Sequence, residues 1–322
     1  MKTFVRLATL ALAVGLSPAT HADDWPARPV TLITPFAPAS TPDTFARILA
    51  EGLSKRLGKA VVVKNEGGGA GMIGTHTVAK AAPDGYTIGI SVAGPLVNNR
   101  MLYKSMPYDP VRDLMPISVA INQTSLLVVR SGLGARTLAE LVAELKRQPG
   151  KYNYASIGNG SLSHLTMELL AARSGTRIVH VPYPGSSQAV MAMISSDVDM
   201  AVLPALAVLP QVKAGKLRVI GASTAKRSAL LPDYPTLSEQ GMTDIDAGAW
   251  MGVVAPAGLP APIARRLHDE VVAVLNDPAT RTVLSQQMMD VVASTPEEFK
   301  AWMDKEYARW KPVIEANRIV LD

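Results

Sequence analysis

The chain has 322 residues, 48% of them hydrophobic and 18% charged, with no cysteine and a formal net charge of +5. The missing cysteine excludes a disulfide framework, a thiolate nucleophile, an iron–sulfur cluster and a cysteine zinc site. The apolar fraction argues against disorder, and no apolar run of about 18 residues follows residue 22, which argues against a multi-span membrane protein. At roughly 150 residues per domain, the length suggests two domains.

In chain order, Lys2 and Arg6 precede a short apolar run over Leu7–Leu16, Pro18 breaks it, and Thr20-His21-Ala22 supplies small residues before a cut. This pattern reads as a secretory signal peptide over residues 1–22. No cysteine follows for a lipid anchor, so a freely soluble exported protein is expected. The leader carries two of the basic residues, and the rest of the excess is scattered in isolated pairs such as Lys55-Arg56, Lys226-Arg227 and Arg265-Arg266. Without a basic stripe interleaved with aromatics, nucleic acid is not an expected partner.

Strands are predicted over Pro29–Pro35, Ala60–Lys64 and Tyr86–Val92, with helices over Pro42–Leu57 and Ile73–Ala81 between them. Further strands fall at Leu126–Arg130, Tyr152–Ser156, Ile178–Pro182, Met200–Leu203 and Leu217–Ala222, with helices between. Repeated strand–helix–strand units predict an α/β protein with mainly parallel, doubly wound sheets. After an apolar strand near Trp250–Ala255 come closing helices, the last starting at Thr295-Pro296-Glu297-Glu298 with capping chemistry. With no later strands to cover, those helices are expected on the first sheet. The second sheet then becomes an insertion, giving lobe 1 as residues 23–120 plus 246–322 and lobe 2 as residues 121–245. Two crossings, near Ile117–Asn122 and Ala247–Val253, make hinge strands with a ligand cleft between the lobes.

In open parallel sheets a ligand sits beyond the carboxyl ends of the strands. Four loops there are rich in small residues: Phe36-Ala37-Pro38-Ala39-Ser40-Thr41, Ala93-Gly94-Pro95, Ile157–Ser163 and Tyr183-Pro184-Gly185-Ser186-Ser187. Helix starts offer unpaired N–H groups and a partial positive charge, which suit a small anion. Gly69-Ala70-Gly71-Met72-Ile73-Gly74 spells G-x-G-x-x-G, but the next strand ends at Ser91-Val92-Ala93-Gly94 without the acidic residue that holds a ribose, so it reads as a tight turn. His164 and Glu168 stand one helical turn apart with no third metal ligand at a recognisable spacing. No G-x-S-x-G elbow occurs, so a Ser161/His164 hydrolase is the runner-up reading.

The chain resembles the Bug-type (TctC-like) solute-binding receptors of tripartite tricarboxylate transporters. The likeness is carried by Trp25-Pro26-Ala27-Arg28-Pro29-Val30, the PFAP…D…AR run over Pro35–Arg47, Gly67–Gly74 and the stretch Ala79–Thr87. It continues through Pro107-Tyr108-Asp109-Pro110, GNGSLSH over Gly158–His164, Val179-His180-Val181-Pro182-Tyr183, Lys213–Arg218 and Trp250–Ala257. The resemblance implies a type II periplasmic-binding-protein fold, a small organic carboxylate in the cleft, membrane transporter subunits as partners, and no catalysis, metal or cofactor. A periplasmic monomer is expected; a sensory receptor would use the same cleft.

Carried over by position, the resemblance puts the first-lobe ligand contacts on Phe36, Ala37, Pro38, Ala39, Ser40 and Asp43, beside Ala93 and Gly94. In the second lobe they fall on Ser156, Gly158, Asn159, Gly160, Ser161, His164, Tyr183 and Gly185. Three departures from the family pattern stand out: Ala39-Ser40 replaces two glycines, Pro184 replaces a basic residue, and Pro204-Ala205-Leu206 replaces an Asp or Asn after its strand. They disfavour amino acids and highly charged tricarboxylates and favour a monocarboxylate or a less polar, aromatic acid.

Overall fold

A computed structural model describes residues 25–321 apart from Ala39, Pro184 and Asp244. The expected signal peptide over residues 1–22 lies outside the described residues. The chain forms β1 (Val30–Thr34), α1 (Thr41–Leu57), β2 (Val61–Asn65), α2 (Met72–Lys80), β3 (Thr87–Val92), α3 (Asn99–Leu102) and β4 (Leu114–Gln123). There follow β5 (Ser125–Arg130), α4 (Leu138–Arg147), β6 (Asn153–Ser156), α5 (Leu162–Ser174), β7 (Val179–Pro182), α6 (Ser186–Ser195), β8 (Met200–Pro204), α7 (Ala205–Lys213) and β9 (Leu217–Ala222). The chain closes with β10 (Ala249–Pro256), α8 (Ala261–Asn276), α9 (Pro278–Gln286), β11 (Met289–Val291) and α10 (Pro296–Ala316).

Two sheets result, with orders β11-β4-β10-β3-β1-β2 and β7-β6-β8-β5-β9. They are mixed rather than mainly parallel. β1 runs parallel to β2 and β3, and β6 parallel to β7 and β8, as strand–helix–strand units require. β10 pairs antiparallel with β3 and β4, and β5 antiparallel with β8 and β9. The cause is the insertion: the chain leaves the first sheet along β4 and returns beside it along β10, so these neighbours must point in opposite directions.

One residue, Thr124, separates β4 from β5. At this crossing Ser223 N donates to Ser125 O at 2.9 Å, Ser223 Oγ to Ala247 O at 2.9 Å, and Ala247 N to Ser223 O at 2.7 Å. The two connections are thus stitched together through one serine.

Local chemistry explains the helix that starts the first lobe. Ser40 caps α1 by accepting from Asp43 N, Pro42 sits in its first turn, and Gly58 ends it at φ 65°. Its buried stripe of Phe45, Ala46, Leu49 and Leu53 packs with Leu32, Ile88, Leu267 and Val271 over the first sheet. α10 has the capping box expected from Thr295 and Glu298. Its placement differs from the expectation that it lies wholly on the first sheet. Phe299 and Met303 pack with Val119 and Trp250 in the first lobe, whereas Trp310, Val313 and Ile314 join Leu165, Leu169 and Met200 in the second. A helix of 21 residues spans about 30 Å, enough to reach both cores.

Candidate functional site

The loops singled out above all lie at the carboxyl ends of parallel strands. In the first lobe Phe36, Ala37, Pro38 and Ser40 connect β1 to α1; Ala39 lies outside the described residues. This loop is tied from below by a charged group. Asp43, 2% exposed, pairs with Arg47 at 3.0 Å, and Asn65 at the end of β2 donates Nδ2 both to Asp43 Oδ1 at 2.9 Å and to Phe36 O at 3.0 Å. Asp43 therefore braces the loop.

Beside it, the Gly67–Gly71 turn brings its backbone against Phe36. A Cβ added at Gly71 would stand 3.2 Å from Phe36 Cζ and 3.2 Å from Pro95 Cγ, so this glycine permits a close approach of three segments. The tight-turn reading of the G-x-G-x-x-G stretch accords with this packing. Ala93 is buried at the end of β3, and Gly94 opens a π-helical turn over Gly94–Asn98.

In the second lobe the β6–α5 loop is a closed net of small hydroxyls. Ser161 caps α5 by accepting from His164 N at 3.4 Å and donates its own Oγ proton to Gly158 O at 2.6 Å. Ser163 Oγ accepts from Ile157 N at 3.0 Å. Gly158 and Gly160 adopt φ of 114° and 72°, conformations that glycine takes readily. Tyr183 N donates to Ser156 O at 3.0 Å, joining the β7–α6 loop to this net, and Gly185 precedes α6; Pro184 between them lies outside the described residues.

Two histidines form the floor of the loop. The rings of His164 and His180 stack at 3.9 Å between centroids with an 8° interplanar angle, and Tyr154 stacks on His180 at 5.0 Å. His164 Nδ1 accepts from Gly160 N at 3.0 Å, which leaves the proton of the neutral ring on Nε2. His180 Nε2 lies 2.6 Å from Ser156 Oγ. Burial, then the neighbouring His180, push the His164 imidazole down to about 4, and burial also lowers His180. Both rings are neutral near pH 7.

These contacts show what several of the expected site residues do within the fold. Ser161 and Ser156 hydroxyls and His164 Nδ1 bond within the loop, because a turn this tight needs partners for its own N–H and C=O groups. The runner-up Ser161/His164 pair does not form: the serine that meets a histidine is Ser156, and its partner is His180. Gly160 and Asn159 face the chain's end. A Cβ at Gly160 would meet Leu102 Cδ1 at 2.6 Å and Leu321 Cδ1 at 2.9 Å, and Asn159 lines a small cavity with His164, Glu168 and residues 317–321. Glu168 accepts from Tyr154 Oη at 2.5 Å, and among the described residues no three His, Asp or Glu side chains gather as a metal site.

His180 and Tyr154 are the participants that sequence reasoning did not single out. They meet through register: β6 and β7 pair parallel with Tyr154 opposite His180, and His180 lies 24 residues from Ser156 in the chain.

Two lobes, each with small-residue loops at the carboxyl ends of its parallel strands, define the class of two-lobe solute-binding proteins. The chain belongs to the tripartite tricarboxylate transporter family receptor (TctC) family, whose profile matches residues 45–319. It is 34% identical to Protein BugT of Bordetella pertussis over 301 residues, 93% of this chain and 92% of that protein. Among solved structures, Rpa4515 of R. palustris with adipate superposes with a TM-score of 0.80 at 32% identity, covering 91% of this chain and 98% of that one. MatC of Rhodopseudomonas palustris with bound malate gives a TM-score of 0.76 at 28% identity, covering 90% and 100%. Among the described residues no helix is long and apolar enough to cross a membrane.

Proposed function

We propose that the chain is a periplasmic receptor that captures a small organic carboxylate between its lobes and presents it to the membrane subunits of a tripartite tricarboxylate-type transporter. What supports this reading is that both sheets, linked by adjacent strands, carry small-residue loops at the ends of their parallel strands, 36–43 with 93–94 on one and 156–164 with 183–185 on the other. Related receptors with adipate and malate bound support a carboxylate ligand. The moving parts are residues 23–120 plus 246–322 and residues 121–245, with the end of α10 reaching onto the second. Loops of both parts donate hydrogen bonds to the anion, and closure removes water and strengthens them. The protein acts as an exported monomer without cofactor or turnover.

The solute is a monocarboxylate or an aromatic acid rather than an amino acid or a tricarboxylate. Asp43 and Arg47 are bonded to each other, Pro204-Ala205-Leu206 offers no acid for an amino group, and Leu206 and Ile157, 42% and 37% exposed, present apolar surface at the ends of β8 and β6.

A thermal-shift screen of refolded, ligand-stripped protein tests the reading. Saturation at about 100 times Kd adds roughly 2.7 kcal/mol, a shift of several degrees. A selective shift with monocarboxylates or aromatic acids is expected. Stronger binding of citrate or glutamate overturns the solute assignment, and no shift with any acid overturns the receptor reading.

A further inference from the structure

α10 enters both cores, and a buried carboxylate sits where it passes from one to the other. Glu306 is 4% exposed. Its Oε2 accepts from Trp310 Nε1 at 2.9 Å and lies 3.5 Å from Trp250 Nε1. Trp310 belongs to the second-lobe core, whereas Trp250 is a residue of β10 packed with Phe299 and Met303 in the first. The other oxygen, Oε1, pairs with Arg309 one turn along the helix.

Arg309 carries the contact on to the second crossing. Its guanidinium donates to Asp246 O and, from Nη2, to Asp246 Oδ2 at 3.2 Å. Asp246 Oδ1 in turn accepts from Ala225 N of the second lobe at 3.0 Å, and Lys305 Nζ stands 3.8 Å from Oδ2 at the rim. The run Ala225, Asp246, Arg309, Glu306, Trp250 thus ties a second-lobe loop to a strand of the first lobe. Pro312 follows inside the same helix and has no N–H for Ala308 O, so the ladder of α10 is interrupted beside this network. A buried ion pair adds little net stability, because desolvation offsets the attraction, but removing one partner leaves a buried charge behind. Fully bonded, such a network rigidifies one arrangement.

We propose that Glu306 is a positioning residue for solute capture: held by Arg309 and both indoles, it fixes the angle at which the two lobes face each other. This rests on the receptor reading above. Lobes held near one angle lose less freedom when they close on an acid.

The chain has no cysteine, so introduced pairs can be spin-labelled without background. Lys59→Cys with Lys213→Cys spans the lobes, and Lys146→Cys with Lys213→Cys lies within the second; all three lysines are exposed. Pulsed EPR then gives distance distributions for ligand-free protein with Glu306 intact, with Glu306→Met and with Asp246→Asn, each well below its melting temperature. In both variants the inter-lobe distribution should widen about two-fold as further lobe angles become populated, while the intra-lobe one stays as it was. The double variant should be no wider than either single one, since both cut the same run. An unchanged inter-lobe width in either variant overturns the proposal. Equal widening within the second lobe does so too, because the network then only supports the local fold. If Glu306→Met does not fold, Asp246→Asn, nearer the surface, decides by the same two widths. Each acid of the thermal-shift screen is then added to the labelled protein with Glu306 intact. An inter-lobe distance that moves with none of them overturns the receptor reading, while the ligand-free widths still decide the role of Glu306.

Discussion

The two halves of the cleft are held in shape by opposite kinds of chemistry. The first-lobe loop hangs from a buried carboxylate: Asp43 binds Arg47 and Asn65, and Asn65 in turn holds Phe36 O. The second-lobe loop rests on neutral groups, hydroxyls of Ser156, Ser161 and Ser163 above a stacked imidazole pair. Both solutions satisfy loop N–H and C=O groups, but they differ in what disturbs them. The first fails when a charged anchor is removed, the second when its rings acquire charge.

The largest effect is expected from Asp43→Ala. It leaves Asn65 Nδ2 without its carboxylate and unbinds Arg47, a loss of about 2–3 kcal/mol for hydrogen bonds to a charged group. Urea unfolding reads the loss, and the solute's Kd should rise ten-fold or more as Phe36–Ser40 loosens. An unchanged unfolding midpoint would show that the first loop does not depend on its anchor.

On the second lobe, Gly160→Ala forces a side chain into φ 72° and against the far ends of Leu102 and Leu321. The left-handed conformation costs about 1–2 kcal/mol. Adding Leu321→Ala should recover part of that, and failure to recover any would assign the whole cost to the backbone. Ser161→Ala removes the cap of α5 and the bond to Gly158 O, about 1 kcal/mol by the usual cost of a lost cap.

The last effect is nil at pH 7 and grows in acid. The unfolded histidine takes its proton near about 6.5, whereas folded His164 does so at about 4. The unfolded state therefore binds more protons in this window, so stability is complete above about pH 6.5 and is lost as the pH falls toward 4. Glu168, linked through Tyr154, and Arg318 line the same cavity as the ring. Melting temperature should fall between pH 7 and 4.5, and His164→Gln should flatten that slope while leaving the first lobe's behaviour unaltered. An equal slope in the variant would move the acid sensitivity elsewhere.

Much of the first-lobe loop could be read along the chain, because its chemistry is local. Ser40, Pro42 and Asp43 are within four residues, so the cap and first-turn proline follow from spacing, whereas the brace at Asp43 runs through Asn65, 22 residues along the chain. The Gly158–His164 stretch was legible as a loop entering a helix for the same reason. His180 was not legible as a partner of Ser156 and His164, since nothing local points from one to the other. Nor was the reach of α10, whose Phe299 and Trp310 belong to different cores although both are buried residues of one helix.

The sequence by itself determined the alternating α/β pattern, the helix caps, the two-lobe plan and the small-residue loops at strand ends. Each of these depends on neighbours a few residues apart or on hydrophobic periodicity. Tertiary structure alone decided the antiparallel returns of β4 and β10, the imidazole stack across β6 and β7, and the unpaired buried amides of Asn98 and Asn99. Those depend on strand register and on which buried polar groups find partners, and both are set when distant segments pack.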